Sequence, residues 1–138
     1  IDPSHIRPEL HDLDFVWSTG TADRRGDLDA GMQFVIDTLT PLRPGGVAVH
    51  TLTYNLSSNV RTVRSGPTVA FRRRDLEHLA HRLRSAGHHT ELLFDHGRLP
   101  GDAHVDRPPF STMHLRTTLG SHVVTSFGLL IRKGGAAR

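Results

Sequence analysis

The feature that most constrains this chain is a pair of apolar runs of strand length with one helical stripe between them. Leu13-Asp14-Phe15-Val16-Trp17-Ser18 is the first run, and Thr19-Gly20-Thr21 turns the chain straight after it. Val47-Ala48-Val49-His50-Thr51-Leu52-Thr53 is the second. Near-continuous apolar strands belong to sheets whose strands are buried on both faces, and such strands are joined by crossover helices. Between the runs, Leu28, Met32, Val35, Ile36, Leu39 and Leu42 recur at helical spacing. Asp27 is placed to cap that helix, and Asp29 suits its positive end. Pro44-Gly45-Gly46 stops it.

The same alternation continues downstream. Leu76, Leu79, Ala80 and Leu83 form a second helical stripe that ends at Gly87, and Thr90-Glu91-Leu92-Leu93-Phe94 follows as a strand. Residues 95–114 are rich in proline and glycine and read as a loop or flap. Val123, Val124, Phe127, Leu129, Leu130 and Ile131 mark a last strand. The expected elements are strand 13–18, helix 28–42, strand 46–54, helix 74–86, strand 89–95 and strand 121–132. Residues 1–12 read as an irregular lead-in, 13–133 as one domain and 134–138 as a flexible tail. Strands alternating with helices predict an α/β fold with right-handed crossovers. With no helix between them, the last two strands are expected to pair antiparallel.

Composition narrows the function. At 138 residues the chain supports one domain with a core. It has no cysteine, which excludes disulfides, thiolate metal sites and cysteine nucleophiles. No apolar run approaches the roughly 20 residues that span a bilayer, so no membrane partner is expected. Without disulfides or a signal pattern, the cytoplasm is the expected compartment. The net charge is only +3 and aromatic residues are 6%, a thin footprint for a nucleic-acid binder, so none is expected. Arg72-Arg73-Arg74 is the one tight basic cluster, read either as an anion clamp or as an exposed strand-to-helix junction opposed by Asp75 and Glu77. Eleven histidines invite a metal reading, but His78 and His81 lie off the apolar stripe and read as solvated; no metal site is expected.

Two segments together are distinctive: Leu13-Asp14-Phe15-Val16-Trp17-Ser18, and Leu42-Arg43-Pro44-Gly45-Gly46-Val47-Ala48-Val49-His50. An acidic residue in an apolar run, an amphipathic helix and a Leu-Arg-Pro-Gly-Gly turn into a strand resemble the second half of class I S-adenosylmethionine-dependent methyltransferases. The resemblance covers residues 13–133. It implies a Rossmann-like methyltransferase half domain, strands four to seven. Its sheet would be mostly parallel with an antiparallel last strand, 121–132, inserted between 46–54 and 89–95. It also implies methyl transfer from S-adenosylmethionine to an oxygen or nitrogen acceptor. By resemblance, Trp17, Ser18 and Thr19 would line the cofactor's methionine end, Tyr54 and Asn55 the acceptor, and His50 or Asp23 would serve as the acceptor-side base. The competing readings are that Trp17 is core and His50 a satisfied buried histidine.

The family's glycine-rich cofactor loop has no counterpart. No Gly-x-Gly occurs between residues 1 and 44, and Gly45-Gly46 precedes a strand rather than following one. Residues 50–59 and 71–76 resemble one bacterial subgroup of that family, which tends to carry Glu-His at the positions of Asp23-Arg24 and often a carboxylate at that of Thr53. The expectation is therefore an incomplete enzyme that binds S-adenosylmethionine weakly or not at all alone, or else a non-catalytic interaction module. Lacking strand one, strand 13–18 becomes an apolar edge, expected to pair with its own copy as a homodimer or with a partner that supplies the missing half.

Overall fold

The computed structural model describes residues 6–110 and 115–135. Residues 1–5 of the lead-in, 111–114 of the predicted flap and 136–138 of the tail lie outside the described residues.

Strand β1 spans Leu13–Thr19 and is followed by a 3₁₀ turn over Ala22–Arg24. Helix α1 spans Leu28–Asp37, capped by Asp27, whose side chain accepts the Ala30 N–H at 2.7 Å. The helix ends five residues earlier than its apolar stripe predicts. Pro41 is the reason: its ring would collide with the carbonyl of Asp37 in a continued helix. Leu42, counted in the stripe, instead opens strand β2, Leu42–Asn55. Helix α2 spans Arg73–Ser85, with Asp75 reaching back to the Arg72 N–H at 2.9 Å. A small hairpin, β3 (Val63–Ser65) and β4 (Thr68–Ala70), lies between β2 and α2 in sequence.

The predicted strand 89–95 is shorter than expected. Only His89–Thr90 pair, as β5. The chain then leaves the sheet and returns through β6 (Val105–Asp106) and β7 (Arg116–Leu119), which hairpins into β8, His122–Arg132. The main sheet runs β1-β2-β8-β7-β6, with β5 also on β8. Strand β8 thus stands between β2 and β5, antiparallel to both, as expected for the last strand. Every other strand of this sheet runs one way, so the sheet is parallel in direction apart from β8. Because β8 is central, most ladders are nevertheless antiparallel. The result is a mixed α/β fold with a central sheet and two helices.

Both helices lie on one face. Met32, Val35 and Leu39 from α1 and Leu76, Leu79 and Leu83 from α2 pack in one core with Ala48, Leu52, Phe127, Leu129 and Ile131 of the sheet. The opposite face carries Phe15, Trp17, Val47, Val49 and Leu130, and no helix covers it among the described residues. The tail expected from residue 134 is still tied down there, since Gly134 N–H donates to His88 Nδ1 at 3.1 Å.

Gly31 shows where packing overrides helix propensity. A Cβ there would run into the Ala22 carbonyl and lie 3.0 Å from Phe71 Cζ. Propensity alone makes Gly→Ala a gain of about 1 kcal/mol in a helix. Here the obstacle is backbone, so Gly31→Ala should instead cost about 2 kcal/mol. Urea unfolding measures it; a raised midpoint would contradict the packing.

Candidate functional site

In an open α/β sheet the carboxyl ends of the parallel strands are where ligands gather. Here β1 ends beside β2, with Ser18 paired to His50 and Thr19 to Thr51 in register, and β2 runs on to Asn55. Strand alternation then sorts the expected residues onto different faces. Ser18 turns toward the helices. Trp17, 68% exposed, and Thr19, also exposed, turn to the bare face. The three residues expected to line one end of a cofactor therefore do not converge. Trp17 is not core.

Ser18 and His50 do meet. Ser18 Oγ lies 2.7 Å from His50 Nδ1, and Thr38 Oγ1 lies 3.0 Å from His50 Nε2. Thr38 spends its only hydroxyl proton on the Val35 carbonyl at 2.5 Å. Its oxygen must then accept from His50, which places the imidazole proton on Nε2 and leaves Nδ1 to accept from the Ser18 hydroxyl. His50 is 0% exposed, and burial pulls its pKa down from 6.5 to about 4. His50 is a buried histidine with both ring nitrogens engaged and burial favouring its neutral form. It ties β1, β2 and the end of α1 together.

Asp23 occupies a gap in the β2 edge. Thr51 O accepts the N–H of Gly20, the last rung supplied by the β1 side. Two residues on, Phe71 N–H donates to Thr53 O and Asn55 N–H to Phe71 O. In between, Asp23 Oδ2 accepts the Thr53 N–H at 3.0 Å and the Thr53 hydroxyl at 2.5 Å. The carboxylate stands in for a neighbouring strand's carbonyl. Its Oδ1 is buried without a hydrogen-bond partner among the described residues.

Tyr54 and Asn55 are also split by alternation. Asn55 Oδ1 accepts the N–H groups of Ser57 and Ser58 at 2.9 and 3.0 Å, shaping the turn after β2. Tyr54 is buried in an aromatic cluster that the sequence reading missed. His96 stacks on it at 5.0 Å between centroids, with Phe94 at 5.7 Å and Phe127 at 5.6 Å. Arg73 sits over Phe94 at 4.3 Å. Burial raises the Tyr54 pKa, Arg73 opposes that and Glu77 adds to it. Burial lowers the His96 pKa, aided by Arg116 and opposed by Asp95. Phe94 belonged to the predicted strand, and nothing in the spacing of His96 signals its return to β2.

The basic cluster forms a junction. Arg72 makes a two-point ion pair with Asp75, at 2.8 Å for both bonds, and Arg73 pairs with Glu77 at 2.9 Å. No group of three or more potential metal ligands gathers among the described residues. Among them, no helix is long and apolar enough to cross a membrane. Two cavities open elsewhere. One of about 600 Å³ lies between the lead-in and α1, lined by Arg7, Leu10, Arg25 and Phe34 among others. The other, of about 280 Å³, lies against Met32, Arg64 and Arg72. Neither is lined by Trp17, Ser18, Thr19, Asp23, His50, Tyr54 or Asn55.

No family model and no curated protein matches this chain. Among solved structures, an S-adenosylmethionine-dependent methyltransferase from Clostridium acetobutylicum ATCC 824 aligns with 98% of the chain at 14% identity and a TM-score of 0.49. The match takes in 63% of that protein, so this chain spans less than two thirds of its length. A likeness this distant carries no argument about function.

The histidine makes stability depend on pH in a set direction. Below pH 6.5 the unfolded chain takes up a proton at residue 50 that the folded chain refuses until about pH 4. The stability that goes with a neutral His50 is whole above pH 6.5 and is lost as pH falls toward 4, by about 3 kcal/mol for a shift of this size. Urea unfolding of wild type and His50→Gln from pH 7.5 to 4.5 should show a steeper decline for wild type. Parallel profiles would mean that His50 is not held neutral.

Proposed function

We propose that this chain is the acceptor-side half of a class I methyltransferase-like domain, strands four to seven, and is not a complete enzyme alone. What carries the reading is the place of β8, antiparallel and inserted between β2 and β5. That arrangement is the one the resemblance of the Leu13–Ser18 and Leu42–His50 segments implies. In this reading β1 and β2 are strands four and five, and the Tyr54 cluster with the segment after β5 faces the methyl acceptor.

The residues present do not fit S-adenosylmethionine. Trp17 and Thr19 face away from Ser18, whose hydroxyl proton is committed to His50. No glycine-rich loop stands ready to approach a cofactor backbone. Transfer of a methyl group to an oxygen or nitrogen acceptor would require a first half from elsewhere. Within such a complex Asp23 is the better candidate for the acceptor-side base, because its Oδ1 has no hydrogen-bond partner among the described residues whereas both His50 nitrogens are engaged.

A second reading, a non-catalytic interaction module derived from this fold, is favoured by the bare apolar face of the sheet. Calorimetry of the chain with S-adenosylmethionine and S-adenosylhomocysteine tests the half-domain reading directly. Saturable binding should be absent up to about 1 mM, corresponding to less than roughly 4 kcal/mol of binding free energy. Micromolar affinity that disappears in Trp17→Ala would show a working cofactor site and overturn the proposal.

A further inference from the structure

We propose that two copies of this chain join through β1, antiparallel and centred on Val16, to form one sheet running through both. The inference rests on the free edge of β1, the same edge that a first half would otherwise occupy. It begins with an edge. Among the described residues β1 pairs only with β2, and its other side has no neighbour. In a parallel ladder alternate residues bond to the neighbouring strand. Gly20 N–H goes to Thr51 O, so Ser18 and Val16 share its inward orientation. Phe15, Trp17 and Thr19 therefore turn their N–H and C=O groups outward. Edges of this kind are usually blunted by proline, lysine or a covering loop. This one has neither residue between Leu13 and Thr19.

The occupant follows from the strand's own symmetry. Strand β1 has seven residues, with Val16 in the middle. A two-fold axis at Val16 sets Asp14 opposite Ser18 of the copy, while Leu13, whose N–H is already given to Pro41 O at the β2 irregularity, stays with β2. The axis sets Phe15 opposite Trp17, twice. Both aromatics lie on the bare face, 53% and 68% exposed, and would form the cross-strand aromatic contacts that stabilise antiparallel pairs. The same parity makes Phe15 and Trp17 hydrogen-bonded partners, since both turn their backbone groups outward.

Charge selects this register as well. Asp14 is the strand's single charged residue, already ion-paired with Arg43. Centring on Val16 keeps the two Asp14 residues four rungs apart, about 13 Å along the strand. A two-fold centred on Asp14 would place the carboxylates face to face. One centred on Trp17 would leave Asp14 without a strand partner and put Phe15 against Thr19. The bare face continues inward from the aromatics through Val47, Val49 and Leu130, so the joined sheets would share one apolar surface across the axis.

The chain has no cysteine, which allows a test of register. Sedimentation of the wild-type chain at micromolar concentration should show a dimer. Residues 16 of the two copies would be directly opposite, within disulfide reach, so oxidised Val16→Cys should become a covalent dimer. Thr19→Cys, with its counterpart six rungs away, should not. Trp17→Glu changes an exposed side chain and should give a monomer with an unchanged circular dichroism spectrum. A wild-type monomer overturns the proposal, whether it stays single or combines only with a different chain. So does a dimer that cross-links through Thr19→Cys but not Val16→Cys. If Val16→Cys does not fold, an intact dimer in Trp17→Glu overturns the proposal on its own.

Discussion

The ladder between β2 and β8 is the constraint on which the rest of this structure hangs. It pairs nine consecutive positions, from Val47 with Arg132 to Asn55 with Val124. Its covered face supplies Ala48, Leu52, Phe127, Leu129 and Ile131, against which both helices pack. Beyond it, β1 attaches to one side, and β5 and β7 share the other edge of β8. The ends of the ladder are tied too: Gly45 N–H donates to Lys133 O and Lys133 N–H to Gly46 O, both at 2.9 Å. The Pro-Gly-Gly turn thus does more than stop a helix. It delivers β2 into register with a strand more than 70 residues further on.

Much of this was legible in the sequence, for identifiable reasons. The alternation of strand and helix was carried by Leu13–Ser18, the Leu28–Leu39 stripe and Val47–Thr53, where burial demands apolar residues in sequence order. What failed was local. The stripe extended helix 28–42 through Leu42, but a proline four residues past Asp37 outweighs an apolar match. The apolar residues of 90–94 read as a full strand, yet Leu92 and Phe94 pack on the core from irregular backbone. An apolar residue needs a core to enter, and it need not enter through a strand.

The candidate site was less legible because chemistry depends on direction as well as position. Trp17, Ser18 and Thr19 were grouped because the resemblance sets that whole stretch at the cofactor's methionine end. In a strand, consecutive side chains point opposite ways. His50 and Asp23 were singled out by resemblance; His50 lies within β2 beside the end of β1, and Asp23 in the turn that follows β1. Their partners, Thr38 and Thr53, are ordinary residues with nothing to mark them, and those partners turn one into core and the other into a patch on the ladder. The Tyr54 cluster was hidden for a related reason: His96 and Phe94 reach it from a segment without periodicity.

The one-sided sheet and the long β2–β8 separation together have a consequence for biogenesis. A ribosome completes β2, Leu42–Asn55, well before it begins β8, His122–Arg132. Until β8 arrives, β2 has a neighbour on one side only, and the core face shared with β8 is half built. The fold has little to gain from early, piecemeal assembly, because its longest ladder closes last. Non-local closures of this kind slow folding and leave strand edges open to wrong partners meanwhile.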